Sequence, residues 1–146
     1  MLTKNPRQET LVLTADASRL DGIPKWGEAR FSAHNELILK SKGFSNQIVL
    51  RVNDSLILGR KSEEAGSSIP IVDLNVFDAY LQGVSKQHAV IELADRVLTL
   101  RDLGSKNGTF LNMQALPVNS HRILRDNDII HLGNLELVVH FQGAKK

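Results

Sequence analysis

The stretch DLGSKNGTFLN, residues 102–112, decides the fold of this chain. It places glycine, serine, asparagine and threonine in a short polar turn between two apolar segments, and these residue types form tight turns. Their hydroxyl, amide and backbone N–H groups give the turn a rim rich in hydrogen-bond donors. Such a rim can bind an anion or the backbone of an extended peptide, although an Asn-Gly turn between strands is equally consistent with a plain hairpin.

Two other motifs bring donors of the same kind to the ends of apolar segments. Gly59 and Arg60 end the segment LILGR, and Ser85 opens the segment SKQHAVI. A phosphate monoester has close to two negative charges and three acceptor oxygens, so its binding site needs a cationic fork together with neutral donors. Arg60 offers the fork and Ser85 offers a hydroxyl. The three loops together therefore indicate a phosphate-binding site.

These motifs resemble those of the forkhead-associated (FHA) domain family, in four segments that follow one another in order: LILGR at 56–60, VSKQHAVI at 84–91, DLGSKNGTFLN at 102–112 and LRDNDIIHLG at 124–133. The resemblance covers roughly residues 47–141. It implies an all-β sandwich of about eleven strands, with loops that bind phosphothreonine peptides. It also implies a non-catalytic module of kinase-linked signalling, and a bacterial origin is expected.

The resemblance divides the candidate site residues into two groups. Those expected to contact the phosphopeptide are Arg60, Ser85, Lys86, Ser105, Lys106 and Asn107. Those expected to support the site are Gly59, His88, Gly108 and Thr109. Because asparagine carries both an amide donor and a carbonyl acceptor, Asn107 can pair with the backbone of an extended peptide. The two lysines add positive charge as flexible point charges.

The sequence departs from the family pattern at two turns. Met113 follows Asn112 where a glycine is usual, and we expect this change to lengthen or reshape the turn before Gln114. Asn127 stands in the tripeptide Asp-Asn-Asp where Asp-Gly-Asp is usual, and asparagine tolerates the left-handed conformation. Neither change falls on the predicted phosphate site.

The composition is that of an ordinary soluble globular protein. The chain has 146 residues, enough for one domain, of which 42% are hydrophobic and 23% charged. It has no cysteine for disulfides or thiolate metal sites, and its net charge of +2 is too small to indicate a nucleic-acid partner. No apolar stretch is long enough for a membrane span, and no signal segment is evident. We therefore expect a cytoplasmic protein with no cofactor and no metal.

The pattern divides the chain into four parts. Residues 1–27 form an arm or linker, residues 28–46 an appended β-hairpin that turns at His34 and Asn35, residues 47–141 the FHA domain, and residues 142–146 a frayed tail. Within the domain, the first predicted hairpin spans residues 47–58. The polar run at 61–68 is expected to be an exposed loop, and residues 73–83 to contain a single helical turn.

Two later segments alternate apolar and polar residues with the period of a β-strand. Ala89, Ile91 and Leu93 share one face, and a turn at residues 95–96 leads to a strand in which Leu98 and Leu100 point inward. The same alternation recurs at residues 135–141, with Glu136 and His140 on the other face. Short strands at such regular spacing are typical of a β-sandwich.

Three other interpretations remain open. The chain could be an assembly module whose Arg60 site is idle or binds an unphosphorylated partner. Ser85 and His88 could form a nucleophile and base, although no carboxylate with an orienting role accompanies them. His121, His131 and His140 could bind zinc, although their spacing matches no metal signature.

The arm contains one candidate regulatory residue. Thr10 lies in RQETLVLTADAS, ahead of the apolar residues 11–13. A phosphate on Thr10 would let the arm bind its own domain and exclude external peptides. The alternative is that residues 11–13 pair with the edge of a sheet.

Overall fold

Eleven strands in two sheets make up the computed structural model, which describes residues 27–32, 35–61 and 68–143. The first sheet contains, in spatial order, β2 (Gln47–Leu50), β1 (Glu36–Lys40), β11 (Leu135–Gln142), β10 (Ile129–Leu132), β7 (Thr109–Leu111) and β8 (Gln114–Ala115). The second contains β4 (Ile71–Asp73), β3 (Ser55–Gly59), β5 (Gln87–Ala94), β6 (Val97–Asp102) and β9 (His121–Leu124). Neighbouring strands are antiparallel, except that β3 and β4 are parallel. The predicted all-β sandwich of about eleven strands is confirmed.

The core lies between the two sheets and is built from alternate residues of each strand. On β6, Leu98 and Leu100 are fully buried while Val97 and Thr99 are only half-buried. Burial of one such leucine contributes about 1.5–3 kcal/mol to folding. The turn that joins β5 to β6 has Asp95 and Arg96 at positive φ, as a two-residue hairpin turn requires. The prediction of this hairpin is confirmed, as is the alternation along β11.

The appended hairpin predicted at residues 28–46 does not form. Arg30 makes a β-bridge to Val97, and the N–H of Phe31 donates to the carbonyl of Arg96, so this segment contacts the second sheet. β1 instead lies inside the first sheet, between β2 and β11. Backbone pairing therefore joins the two halves of the predicted hairpin to different sheets. Since Phe31 is buried in the core, the segment is an integral part of the sandwich.

The hairpin predicted at residues 47–58 is also wrong. β2 pairs with β1 in the first sheet, whereas β3 pairs with β4 and β5 in the second. The turn at Asn53 and Asp54 thus carries the chain from one sheet to the other. A tight-turn pair between two apolar segments does not specify that those segments are hydrogen-bonded to each other.

The turn at Asn112 and Met113 has only two residues, since Leu111 of β7 pairs with Gln114 of β8. Asn112 and Met113 lie at φ 49° and 71°, so the turn between β7 and β8 has the two left-handed residues of a short hairpin without any glycine. Asn112 stabilises it, because its side chain accepts from the N–H of Ile129 and donates to Asp128. The expected lengthening of this turn is therefore not observed. Asn127, at φ 73°, adopts the left-handed conformation predicted for it.

Between β4 and β5, residues Leu74–Phe77 form the single helical turn predicted there, as a 3₁₀ helix. Gln142 is the last residue of β11 and pairs with Glu36, so the predicted tail begins one residue too early. Lys61 and Ser68 are exposed, while the rest of the predicted loop lies outside the described residues. Residues 1–26, which include Thr10, and residues 144–146 also lie outside the described residues.

Candidate functional site

Three loops meet at one end of the sandwich: the end of β3 at Arg60, the approach to β5 at Ser85, and residues 103–108 between β6 and β7. The N–H of Arg60 donates to the carbonyl of Lys86 at 3.0 Å, which joins the first loop to the second. The N–H of Lys106 donates to Oγ of Ser85 at 3.2 Å, which joins the second to the third. The loops that carried the sequence motifs thus form one site.

Gly59 permits the close approach between the first two loops. A Cβ atom at this position would lie 1.9 Å from the carbonyl oxygen of Lys86, which no side chain can tolerate. The pairing of β3 with β5 also shifts register between Leu58 and Gly59. This irregularity turns the chain as it leaves the sheet and directs Arg60 toward the neighbouring loop.

The guanidinium group of Arg60 is held at two points. Its Nε donates to the carbonyl oxygen of Val84 at 2.8 Å, and its Cζ lies 5.0 Å from the centre of the Tyr80 ring, a cation–π contact. Among the described residues, the two terminal nitrogens of Arg60 have no hydrogen-bond partner. The arrangement leaves a planar pair of donors for an anion beside a fixed backbone.

His88 is fully buried between the second and third loops. Its Nδ1 accepts from the N–H of Ser85 at 3.0 Å, and its Nε2 lies 2.9 Å from the carbonyl oxygen of Gly108. Only the neutral ring with hydrogen on Nε2 satisfies both contacts. Burial lowers the pKa of His88 and outweighs the opposing effects of the Gly108 carbonyl and of the Asp102 charge. The imidazole therefore holds the two loops in register as a neutral bridge.

Asp102 organises the third loop. Its carboxylate accepts from the N–H groups of Gly104 and Ser105 and from the hydroxyls of Ser105 and Thr109, the last two at 2.6 Å. Burial by itself would raise the pKa of Asp102, but these hydrogen bonds outweigh it and hold the pKa below its ordinary value. The turn is thus wound around one ionised, buried side chain.

Ser105 belongs with the residues that support the loop. Its hydroxyl donates to Asp102 and accepts from the N–H of Gly108 at 2.9 Å, so its only hydrogen is used inside the loop. The expected contact between the Ser105 hydroxyl and a peptide is therefore not favoured by this geometry. Thr109 is buried and donates to the same carboxylate. Gly108, at φ 89°, makes the left-handed bend that brings its carbonyl to His88.

The rim of the site is formed by Asn107 and two lysines. Asn107 is exposed, and its amide donates to the carbonyl of Gly83 at 2.8 Å, which leaves the side-chain oxygen as an acceptor. A Cβ at Gly83 would lie 2.7 Å from that amide nitrogen, and the φ of Gly83 is +83°, so glycine suits this position. Lys86 and Lys106 are exposed on either side of Ser85.

The geometry does not support the alternatives built on histidine. The contact between Ser85 and His88 runs through the backbone N–H, and the Ser85 hydroxyl accepts instead from Lys106. Each of the three histidines considered as zinc ligands lies near a carboxylate: His121 near Glu92, His131 near Glu136 and His140 near Asp126. Within the described part of the chain, no cluster of side chains is suited to hold a metal ion.

Two residues of the site were not assigned by the sequence analysis. Tyr80 falls in the segment at residues 73–83 for which the sequence predicted only a single helical turn, and nothing in its spacing indicates a contact with Arg60. Asp102 begins the decisive motif, and its signal was visible: an aspartate just ahead of glycine and serine commonly accepts hydrogen bonds from the backbone of the following turn.

Comparison with known proteins agrees with this geometry. The family model of the FHA domain matches residues 56–133, which span all three loops. The chain belongs to the FHA domain family. No helix in the described ranges is long and apolar enough to cross a membrane.

One curated relative matches about half of the chain. This chain is 44% identical over 70 residues to protein FraH of Nostoc sp. (strain PCC 7120), an alignment that covers 47% of this chain and 24% of FraH. The chain therefore spans about a quarter of that relative's length.

Among solved structures, the FHA domain of an Arabidopsis thaliana hypothetical protein is similar with a TM-score of 0.59 and 26% identity, over 84% of this chain and 98% of that one. A second structure, from a study of phosphothreonine-dependent FHA domain interactions, has a TM-score of 0.52 and 30% identity, over 72% of this chain and 95% of that one.

Proposed function

We propose that this FHA domain is a non-catalytic module that binds phosphothreonine on a partner protein in kinase-linked signalling. The observation that carries the proposal is the fixed guanidinium of Arg60, whose terminal nitrogens have no partner among the described residues and lie at the junction of the loops. A bidentate contact with a phosphate uses such a fork, and each charge-assisted hydrogen bond contributes about 1.5–3 kcal/mol.

Neutral donors beside the guanidinium support the same proposal. The Ser85 hydroxyl accepts from Lys106, so its own hydrogen remains available to a phosphate oxygen. The 3.2 Å length of that bond is at the long end of the usual range, so a phosphate oxygen can compete for the N–H of Lys106. Lys86 and Lys106 add positive charge, and the free oxygen of Asn107 can accept from the peptide backbone.

The relative solved in the study of phosphothreonine-dependent FHA domain interactions supports the choice of modified residue, since it is 30% identical to this chain. A phosphate alone does not distinguish threonine from serine. The choice of phosphothreonine therefore rests on this relationship, and the experiment must compare the two residues directly.

The test is a titration of the full chain with three peptides of one sequence, which carry phosphothreonine, phosphoserine or unmodified threonine. We expect measurable binding of the phosphothreonine peptide, weaker binding of the phosphoserine peptide and none of the unmodified one. The sequence would come from a phosphothreonine-oriented peptide library. Arg60→Ala should abolish this binding. Arg122→Ala is its matched control, because Arg122 lies on the edge strand β9 and hydrogen-bonds to Gln114. Equal binding of the modified and unmodified peptides would favour the assembly module instead.

Thr10 is proposed as an internal ligand of the same site. A phosphate on the same chain competes at an effective concentration of about a millimolar, enough to exclude weaker external peptides. Protein phosphorylated at Thr10 should bind the phosphothreonine peptide more weakly than unmodified protein, and Thr10→Ala should remove the difference. Equal affinity of the two forms would exclude this role.

A further inference from the structure

Exposed apolar side chains concentrate on one segment beside the site, residues 74–83, which we call the rim segment. In the described parts of the chain, seven large hydrophobic side chains are exposed, and three of them lie on this segment. Tyr80 is 70% exposed, its neighbour Leu81 is 80% exposed, and Val76 is 42% exposed. Single exposed apolar residues are normal, whereas two large ones in succession beside a binding arginine need an explanation.

The rim segment is rigidly held, so these side chains are exposed by the fold and not by a loose loop. Leu74, Phe77 and Ala79 are fully buried and fix its inner side. Ala79 also accepts a hydrogen bond from the N–H of Val84, and the side chain of Gln82 donates to the carbonyl of Phe77. At its end, the N–H of Asn134 donates to the carbonyl of Gln82.

The exposed pair lies between two contacts with the phosphate site. Tyr80 faces the guanidinium of Arg60 at 5.0 Å, and two residues beyond Leu81 the carbonyl of Gly83 accepts from the amide of Asn107. A peptide whose phosphate binds Arg60 and whose backbone pairs with Asn107 would therefore pass beside the rim segment. Its neighbouring side chains would meet apolar surface.

Charge on the segment favours an apolar neighbour over an acidic one. Asp73 and Asp78 are both exposed on or next to it. Asp73 accepts from the N–H groups of Lys61 and Asn75, which keeps its carboxylate close to the end of β3. A carboxylate on the peptide at this side of the site would be repelled, whereas an aliphatic or aromatic side chain would remove apolar surface from water.

We infer that Tyr80 and Leu81 determine specificity by binding an apolar side chain near the phosphothreonine of the partner, and that the Tyr80 ring also positions Arg60. The inference rests on the proposed function. The two roles are separable, since the Tyr80 ring contacts Arg60 whereas the Leu81 side chain is 80% exposed. Loss of Leu81 should therefore change which peptides bind, and loss of the Tyr80 ring should change how well every phosphopeptide binds.

The experiment screens the full chain against a phosphothreonine-oriented peptide library in which each flanking position is varied in turn. The flanking position with the strongest preference is then chosen, and three peptides are made that carry leucine, alanine or aspartate at that position. Affinities are measured for wild type, Leu81→Ser, Tyr80→Phe and Tyr80→Ala. Met113→Ser is the matched control, because Met113 is 77% exposed but lies at the opposite end of β7 from Gly108.

Wild type should prefer the leucine peptide over the alanine peptide by about fivefold, the effect of burying roughly 40 Å² of apolar surface. Leu81→Ser should bring this ratio close to one, and Met113→Ser should leave it unchanged. Tyr80→Ala should weaken all phosphopeptides, and Tyr80→Phe should restore them. The inference would be overturned if wild type showed no preference for leucine over alanine at any flanking position, or if Leu81→Ser kept that preference. Either result would leave the proposed phosphopeptide binding intact. Failure of every phosphopeptide to bind wild type would instead reject the proposed function and this inference with it.

Discussion

The Nε of Arg60 donates to the carbonyl oxygen of Val84 at 2.8 Å, across 24 positions of the sequence. Val84 directly precedes Ser85, so one hydrogen bond fixes the arginine to the loop that supplies the neutral donor. A long side chain that is already ordered loses less conformational freedom when it binds a ligand. The guanidinium of Arg60 is therefore held in place before any ligand binds.

Replacement of Arg60 by alanine should weaken the binding of a phosphothreonine peptide at least tenfold, because two charge-assisted hydrogen bonds are lost. Arg60→Lys should restore part of the affinity, since an ammonium group keeps the charge but not the fork. The measurement is calorimetric titration, with melting temperature as a check that the fold is intact. Affinity equal to that of wild type would remove Arg60 from the site.

His88 and Ser85 should separate stability from binding. In His88→Ala the partly buried N–H of Ser85 and carbonyl of Gly108 both lose their partner, so we expect a lower melting temperature as well as weaker binding. In Ser85→Ala only an exposed contact with Lys106 and a donor to the phosphate are lost, so affinity should fall with little thermal effect. The opposite pattern would show that the two roles are exchanged.

The pKa of His88 gives a prediction about pH. Because burial lowers this pKa in the folded state, the unfolded chain binds the proton more readily. The folded state should therefore lose stability as pH falls below the ordinary histidine value of about 6.5. Titration of the imidazole by NMR should give a pKa below that value, and His88→Gln should flatten the decline in stability over this range. A pKa at or above the ordinary value would contradict the neutral bridge.

Asp102→Asn should destabilise the fold, because an amide cannot accept all the hydrogen bonds that the buried carboxylate receives. The expected loss in the free energy of unfolding is about 1–3 kcal/mol, measured by denaturant titration. Asp95→Asn, in the exposed turn between β5 and β6, is the matched control and should be close to neutral.

The lowered pKa of Asp102 also predicts how stability depends on pH. The contribution of Asp102 to the free energy of unfolding should persist above the ordinary carboxyl pKa of about 3.9 and disappear as pH falls through the pKa of the folded state. Equal stability of Asp102→Asn and wild type would exclude this role.

The sequence predicted strand pairing best at the hairpin of β5 and β6. The hairpin of β5 and β6 has an alternating pattern on both sides of one turn, so the pattern and the pairing coincide. The prediction of pairing failed for β1, β2 and β3, because periodicity identifies the buried face of a strand but not the sheet that the strand joins. The bridge from Arg30 to Val97 spans distant parts of the chain and has no local signal.

The site was predictable to the level of its loops. The motifs identified Arg60, Ser85 and Asn107, which the fold brings to one end of the sandwich. The role of Ser105 could not be inferred, because a serine in a polar turn looks the same whether its hydroxyl points outward or donates to Asp102. The contact between Tyr80 and Arg60 depends on the path of the rim segment, which the sequence leaves undetermined.

The central claim is that phosphate binds where the three loops meet. NMR titration of isotope-labelled protein with a phosphothreonine peptide tests it most directly. We expect saturable shifts in the backbone N–H signals of Ser85 and Lys106 and in the Nε signal of Arg60, with no change along β9. The unmodified peptide should produce none of these shifts. Saturable shifts confined to other surfaces, or equal shifts with both peptides, would contradict the account.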